Sequence, residues 1–100
     1  MWVSVDLCVV PIGVGVSLSP YIAACERVIA ATGLTHQLGP NGTAIEGPWD
    51  EVMECVRACL VELHGMGAPR FYTTLKLNTR IDRQQSFSEK VVSVEELLGN

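Results

Sequence analysis

The chain has 100 residues, of which 48% are hydrophobic and 18% charged, so it can bury a core and is expected to fold as one domain over residues 1 to 100. Its net charge of −4 excludes the basic surface that nucleic acids and anionic membranes require, and neither partner is expected. No apolar run reaches the ~20 residues that cross a bilayer, and residues 1 to 16 lack the basic start of a signal peptide, which predicts a cytoplasmic protein.

The N-terminal third of the sequence predicts a strand followed by a helix. Residues 2 to 12 alternate between two faces and are rich in β-branched side chains, which is typical of a strand. Ser19 and Pro20 predict the start of a helix, with Ser19 as its N-cap, and Gly33 predicts its end.

A hairpin and a second helix are predicted next. Residues 34 to 38 and 43 to 47 read as short strands around the turn Pro40-Asn41-Gly42. Pro48 predicts the first position of the second helix. Apolar side chains recur along this helix at helical spacing, at Trp49, Val52, Met53, Val56, Leu60 and Leu63.

The remaining sequence predicts a long alternating strand over residues 70 to 81 and a tail. The tail is expected to hold a short strand and a last helical turn, whose capping box begins at Ser93. The predicted order is therefore βαββαβ followed by this short C-terminal strand and turn. It favours the α+β ferredoxin-like sandwich, with a four-stranded antiparallel sheet and two helices on one face.

The four cysteines fall inside apolar periodic segments and form no Cys-x-x-Cys motif. This pattern predicts free, buried thiols. Cys55 and Cys59 are one helical turn apart, but they have too few potential ligands nearby in the sequence to indicate a metal site. We therefore expect neither a metal nor a cofactor.

The predicted fold leaves one sheet face without helices, and this face would carry Glu46, a carboxylate in a central strand. Trp2, Asp6, Tyr72 and Lys76 are predicted to share the face with it. Three interpretations stay open: a solvated face, an interface between stacked subunits, and a ligand pocket that lies either between such sheets or between the sheet and the loops. The two aromatic side chains argue against a fully solvated face, and the other two interpretations are compatible with each other.

No sequence signature of an enzyme is present. His36 has no identifiable nucleophile beside it, and Asp6 with Glu46 would form only a weakly indicated acid–base pair. One alternative is nevertheless a small enzyme of the dimeric ferredoxin-like type that uses His36 or Asp6 as a base in a sheet-face pocket, an idea that rests on fold analogy. Another is a purely structural oligomeric module.

Four segments resemble the small thiamine-binding, YkoF-like family over nearly the whole chain: VSLSPYIAAC, LGPNGTAIEGPWDEVMECV, KLNTRIDR and EKVVSVEELL. The resemblance implies a ferredoxin-like fold and non-catalytic binding of thiamine or its hydroxymethylpyrimidine moiety. It also implies a homo-oligomer joined through open sheet faces, either a homodimer or a homotetramer built as a dimer of dimers.

The resemblance also implies positions for the ligand contacts. Its motif positions in this chain are Ser17, Ser19, Tyr21, Thr43, Glu46 and Arg80, followed by Asp82 and Arg83. Asn41 is expected at the rim of the pocket. His36 and Trp49 complete the predicted ligand-binding residues, with Trp49 or Tyr21 as an aromatic wall and Glu46 as the acceptor for an amine.

Overall fold

Seven helices and strands build residues 1 to 99, the part of the chain that this computed structural model describes. In chain order they are β1 (Trp2–Ile12), α1 (Ser19–Thr32), β2 (Thr35–Leu38), β3 (Thr43–Pro48), α2 (Trp49–Gly65), β4 (Arg70–Thr79) and α3 (Phe87–Leu97). The strands form one antiparallel sheet in the order β2-β3-β1-β4. This order confirms the predicted ferredoxin-like fold.

The core lies between one sheet face and helices α1 and α2. The odd-numbered residues of β1 point to this face, because side chains alternate along a strand. The largest fully buried side chains are aliphatic residues and cysteines: Val3, Ile29, Ile45, Val52, Cys55, Cys59 and Leu63. Leu77 lies on the same sheet face but is 48% exposed, because its strand, β4, is at the sheet edge.

Both core helices begin one residue away from the predicted position. Leu18 is the N-cap of α1 and makes no side-chain capping bond, so the prediction that Ser19 caps this helix is wrong. Pro48 precedes α2 as its N-cap, with φ −59° and ψ 141°, and the first helical residue is Trp49. Two carboxylates follow in the first turn of α2, where the helix dipole favours them.

The buried stripe of α2 is rotated from the predicted one. Cys55 and Cys59, which were not part of the predicted stripe, are buried. Leu60, which was part of it, is only half-buried. Apolar residues lie on more than one face of α2, so their spacing alone does not determine which face is buried. Packing against the sheet and α1 determines it, because the small thiols fit at the close contact between the two helices.

The four cysteines are free, and three of them meet between α1 and α2. The thiol of Cys59 donates to the carbonyl oxygen of Cys25 at 3.8 Å. Hydrogen bonds with the thiols of Cys25 and Cys55, together with burial, raise the pKa of Cys59. The bond from Cys59 lowers the pKa of Cys55 to about 7.

The tail forms one helix, so the predicted short C-terminal strand and late helical turn are wrong. Ser86 is the N-cap of α3 and accepts from the backbone N–H of Ser88 at 3.2 Å. Ser86 and Glu89 have the same Ser-x-x-Glu spacing as the motif assigned further along the chain. Ser93 lies inside the helix, where its hydroxyl donates to the carbonyl oxygen of Glu89 at 2.9 Å.

Candidate functional site

Glu46 lies on the sheet face opposite α1 and α2, here called the outer face, and it holds the start of α3. The residue is only 3% exposed. Its Oε1 accepts from the hydroxyl of Ser86 at 2.7 Å, and its Oε2 accepts from the backbone N–H of Phe87 at 2.8 Å. A carboxylate is favourable there because the first turn of a helix carries partial positive charge. The predicted role of Glu46 as a ligand contact stays a prediction.

A cavity of about 280 Å³ lies at the other end of the sheet, between β1, α1 and the β2–β3 turn. Side chains and backbone from all three elements line it: Leu7, Cys8, Val9, Val10, Leu18, Tyr21, Ile22, Cys25, Glu26, Leu38, Gly39, Pro40, Asn41, Gly42, Thr43 and Leu63. Most of this wall is apolar. Its size is close to the lower end, about 300 Å³, of the range usual for small-molecule pockets.

One carboxylate lies in this apolar wall. Glu26 comes from the middle of α1, and its Oε1 accepts a short hydrogen bond from the hydroxyl of Thr43. Thr43 is only 5% exposed, so the pair is anchored between the helix and the sheet. Oε2 of Glu26 has no hydrogen-bond partner among the described residues. The cavity therefore offers an oriented carboxylate with a free oxygen, which accepts from an amine or faces a cation.

The β2–β3 turn closes the cavity because Gly42 lies directly against β1. A Cβ atom on Gly42 would be 2.7 Å from Oδ1 of Asp6 and 3.0 Å from the carbonyl oxygen of Leu7. The turn itself is held by the backbone N–H of Gly39, which donates to the carbonyl oxygen of Gly42 at 2.8 Å. Glycine at this position thus fixes how closely the turn approaches the strand.

Three predicted ligand-binding residues, Tyr21, Asn41 and Thr43, meet in this cavity. Ser17 and Ser19 are exposed on either side of Leu18, which lines it. Glu26 was not among the residues predicted for the site. The available signal was that Glu26 is the only acidic residue of α1.

The other predicted contacts lie outside the lining of the cavity. The Nδ1 atom of His36 is 2.9 Å from the carbonyl oxygen of Leu34, and Trp49 packs against the core. The guanidinium of Arg80 donates to both carboxylate oxygens of Asp82, at 2.6 and 2.8 Å, and this bond lowers the pKa of Asp82 to about 2.

A shallower depression of about 350 Å³ lies beside the start of α2 and carries Asp50, Glu51 and Glu54. These carboxylates have structural explanations. The first two lie in the first turn of the helix, and Glu54 accepts from Arg57 at 3.0 Å. No group of three side chains suited to a metal ion occurs within residues 1 to 99, and no helix there is long and apolar enough to cross a membrane. We therefore treat the cavity with Glu26 as the candidate site.

The ferredoxin-like sheet borders a small, mostly apolar cavity with one carboxylate in its wall. A family model described as thiamine-binding protein matches residues 5 to 95. The chain belongs to this family, which confirms the resemblance found in the sequence.

Relatives of similar length support the assignment. A UPF0045 protein of Synechocystis is 53% identical over 100 residues, which span all of this chain and 83% of that protein. A UPF0045 protein of the fungus Eremothecium gossypii is 39% identical over 96% of this chain and 92% of that protein. Neither name states a catalytic activity.

Solved structures show the same fold. A Methanocaldococcus jannaschii protein aligns with a TM-score of 0.87 and 23% identity over 95% of this chain and 97% of that chain. A Thermotoga maritima protein with a suggested role in thiamine biosynthesis or salvage aligns with a TM-score of 0.82 and 26% identity, over 94% of this chain and 99% of that one. A designed ferredoxin-fold protein aligns with a TM-score of 0.55 over 87% of this chain and 93% of that protein.

Proposed function

We propose that this protein binds thiamine or its hydroxymethylpyrimidine moiety, without turnover, in the cavity between β1, α1 and the β2–β3 turn. The observation that carries the proposal is the carboxylate of Glu26, which Thr43 orients and which keeps one oxygen free in an apolar wall. Thiamine supplies an aminopyrimidine that donates hydrogen bonds and a thiazolium that carries positive charge. Both match a carboxylate, and Tyr21 gives the cavity an aromatic wall for a flat ring.

The charge of the cavity favours ligands without phosphate. Its described lining includes Glu26 and no lysine, arginine or histidine. A phosphate group would therefore meet a carboxylate without a cation to compensate its charge. We expect thiamine and hydroxymethylpyrimidine to bind more tightly than thiamine diphosphate.

Calorimetric titration of purified protein with these three compounds tests the proposal. Glu26→Gln keeps the shape of the side chain and removes its charge. Charge-assisted hydrogen bonds contribute about 1.5–3 kcal/mol, so the affinity should fall by about 10- to 150-fold. Glu62→Gln is the matched control, because Glu62 is exposed on α2 and outside the cavity lining. Unchanged affinity in Glu26→Gln would contradict the proposed site.

The same titration samples also test the absence of turnover. Chromatography of the ligand after prolonged incubation should recover thiamine chemically unchanged. A product that forms with the native protein and fails to form with His36→Ala would instead support the enzyme alternative.

We also propose that the protein works in the cytoplasm as a homo-oligomer whose contacts include the outer face and α3. Tyr72 on the outer face is 68% exposed, and α3 has no buried residue. Phe87, Val91, Val94 and Leu98 follow one helical stripe, yet the last three are 54%, 56% and 71% exposed. An apolar stripe of this kind favours a second copy of the chain as its partner.

Light scattering coupled to size exclusion tests this second proposal. We expect a mass that is a multiple of the 10.8 kDa of one chain. Val94→Asp should lower the mass by placing a charge in the stripe, whereas Ser93→Asp places the same charge beside it and should leave the mass unchanged. A monomeric native protein at micromolar concentration would contradict the proposal.

A further inference from the structure

Strand β1 is longer than its neighbour β3, and the cavity lies beside the last residues of β1, which β3 does not reach. Thr43, the first residue of β3, pairs with Leu7. From Cys8 to Ile12, β1 pairs with β4 alone. Cys8, Val9 and Val10 line the cavity, so the ligand site borders a strand edge that has no neighbouring strand.

The hydrogen-bond alternation of the ladder identifies which residue of this edge faces the cavity. The backbone N–H of Trp49 donates to the carbonyl oxygen of Met1 at 2.8 Å, which continues the β1–β3 ladder by one pair. Hydrogen-bonded pairs recur at every second residue of an antiparallel ladder. The odd-numbered residues of β1 therefore direct their N–H and C=O groups toward β3, and the even-numbered ones toward β4.

Val9 is the first odd-numbered residue of β1 that has no partner in β3. Its N–H and C=O groups point to the side where the cavity has replaced the strand, and no turn or loop hydrogen bond of the described residues uses them. Pro11, the next odd-numbered residue, has no N–H to leave unpaired, which suits an edge without a partner strand. Leaving backbone polar groups without a hydrogen-bond partner beside an apolar cavity costs free energy. A ligand that bonds to the N–H and C=O of Val9 would remove this cost.

We propose that the free N–H and C=O of Val9 recognise the aminopyrimidine edge of the ligand and select for its amine. This inference rests on the proposed function. An aminopyrimidine presents a ring nitrogen that accepts beside an exocyclic amine that donates, which matches one N–H and one C=O from a single residue. Glu26 is bonded to Thr43, which stands opposite Leu7, two residues or about 6.6–6.8 Å along β1 from Val9. The backbone of Val9 and the carboxylate therefore contact different parts of the same small ligand.

Two pyrimidines that differ at one position test the inference on the native protein. The probes are 4-amino-5-hydroxymethyl-2-methylpyrimidine and its 4-oxo counterpart, in which a carbonyl replaces the amine and the adjacent ring nitrogen carries a proton. The oxo compound presents acceptor and donor in reversed order, so its carbonyl would face that of Val9. We expect its affinity to be at least about 100-fold weaker, because a site built for a hydrogen-bonding group rejects an analogue that leaves its own groups unpaired.

The same pair of probes on Glu26→Gln separates the backbone from the carboxylate. If Val9 selects the amine, both affinities fall and their ratio stays near the native value. A ratio that collapses in Glu26→Gln, or similar affinities for both probes on the native protein, would overturn the role of Val9 while leaving the proposed function intact. If neither pyrimidine nor thiamine binds the native protein, the proposed function itself fails, and this inference with it.

A backbone variant provides an independent test. Val9→Pro removes the N–H without removing a bond to β4, and Pro11 shows that this edge of the strand accepts proline. We expect Val9→Pro to bind the aminopyrimidine at least about tenfold more weakly than Val9→Ala, because both variants change the side chain and only Val9→Pro removes the N–H. Equal affinities of the two variants would overturn the inference. If Val9→Pro does not fold, the probe ratios decide.

Discussion

Replacing Glu46 by Gln should loosen α3 from the sheet. The carboxylate accepts two hydrogen bonds from the start of α3, at 2.7 and 2.8 Å, and it is nearly inaccessible to solvent. Charge-assisted hydrogen bonds contribute about 1.5–3 kcal/mol each and neutral ones about 0.5–1.5, so losing the charge at both bonds should cost about 2 kcal/mol. This corresponds to a roughly 30-fold shift in the equilibrium between docked and released α3.

Hydrogen exchange measures this shift directly. Protection of the amides in the first turn of α3 should fall by about 30-fold in Glu46→Gln, because few other contacts hold this helix. Amides of α2 should change less, since the core side chains around them are untouched. Glu62→Gln, an exposed carboxylate variant on α2, should leave α3 protected.

Titration of Glu46→Gln with thiamine distinguishes a role in holding α3 from a role as a ligand contact. Unchanged protection of α3, together with a loss of thiamine affinity, would refute the capping role and support the predicted ligand contact at Glu46. Loosening of α3 with native affinity would place Glu46 in the scaffold instead.

Three further predictions follow from burial and packing. Leu63→Ala should lower the free energy of unfolding by about 2–5 kcal/mol in urea titration, and Leu60→Ala should lower it by clearly less. The reason is that Leu63 is 1% exposed whereas Leu60 is half-buried. Equal losses would contradict the observed rotation of α2. Gly42→Ala should weaken thiamine binding in calorimetry by displacing the turn, because its Cβ would be 2.7 Å from a carboxylate oxygen of β1; native affinity would show that the turn adjusts. In a thiol-reagent titration of the native protein, Cys8 should react first and the three buried cysteines only on unfolding, and early reaction of more than one thiol would argue against the packed helix interface.

The sequence predicted the main helices and strands well where a local residue pattern is compatible with only one type of secondary structure. Strand β1 alternates regularly between buried and more exposed residues from Trp2 to Leu7, and the glycine after α1 takes a left-handed conformation with φ 76° that ends the helix, as expected. The prediction of the tail was wrong because two Ser-x-x-Glu motifs, beginning at Ser86 and Ser93, compete within eleven residues. Either motif can start a helix locally, and the hydrogen bonds that Ser86 and Phe87 donate to Glu46 stabilise the helix that begins at Ser86.

The candidate site was only partly predictable. Tyr21 on α1 is far in the sequence from Asn41 and Thr43, and all three residues that the resemblance named line the cavity. Their role as ligand contacts stays a prediction. Glu26 looks in the sequence like one charge on a helix surface, and only its bond to Thr43, across 17 residues, shows that it faces inward. Val9 carries no polar side chain, so no residue-based motif indicates its free backbone groups.

The sequence alone determined what repeats at short range: the alternation of β1, the turn glycines, the helical segments and hence the ferredoxin-like order of elements. Short-range patterns suffice there because each residue contacts neighbours only a few positions away. The tertiary structure decided which face of α2 is buried, that Glu46 holds α3, and that β3 begins only at Thr43, which leaves a cavity beside the later residues of β1. These outcomes depend on register and on contacts between distant residues, and the free energies that select them appear only once the sheet and helices have packed together.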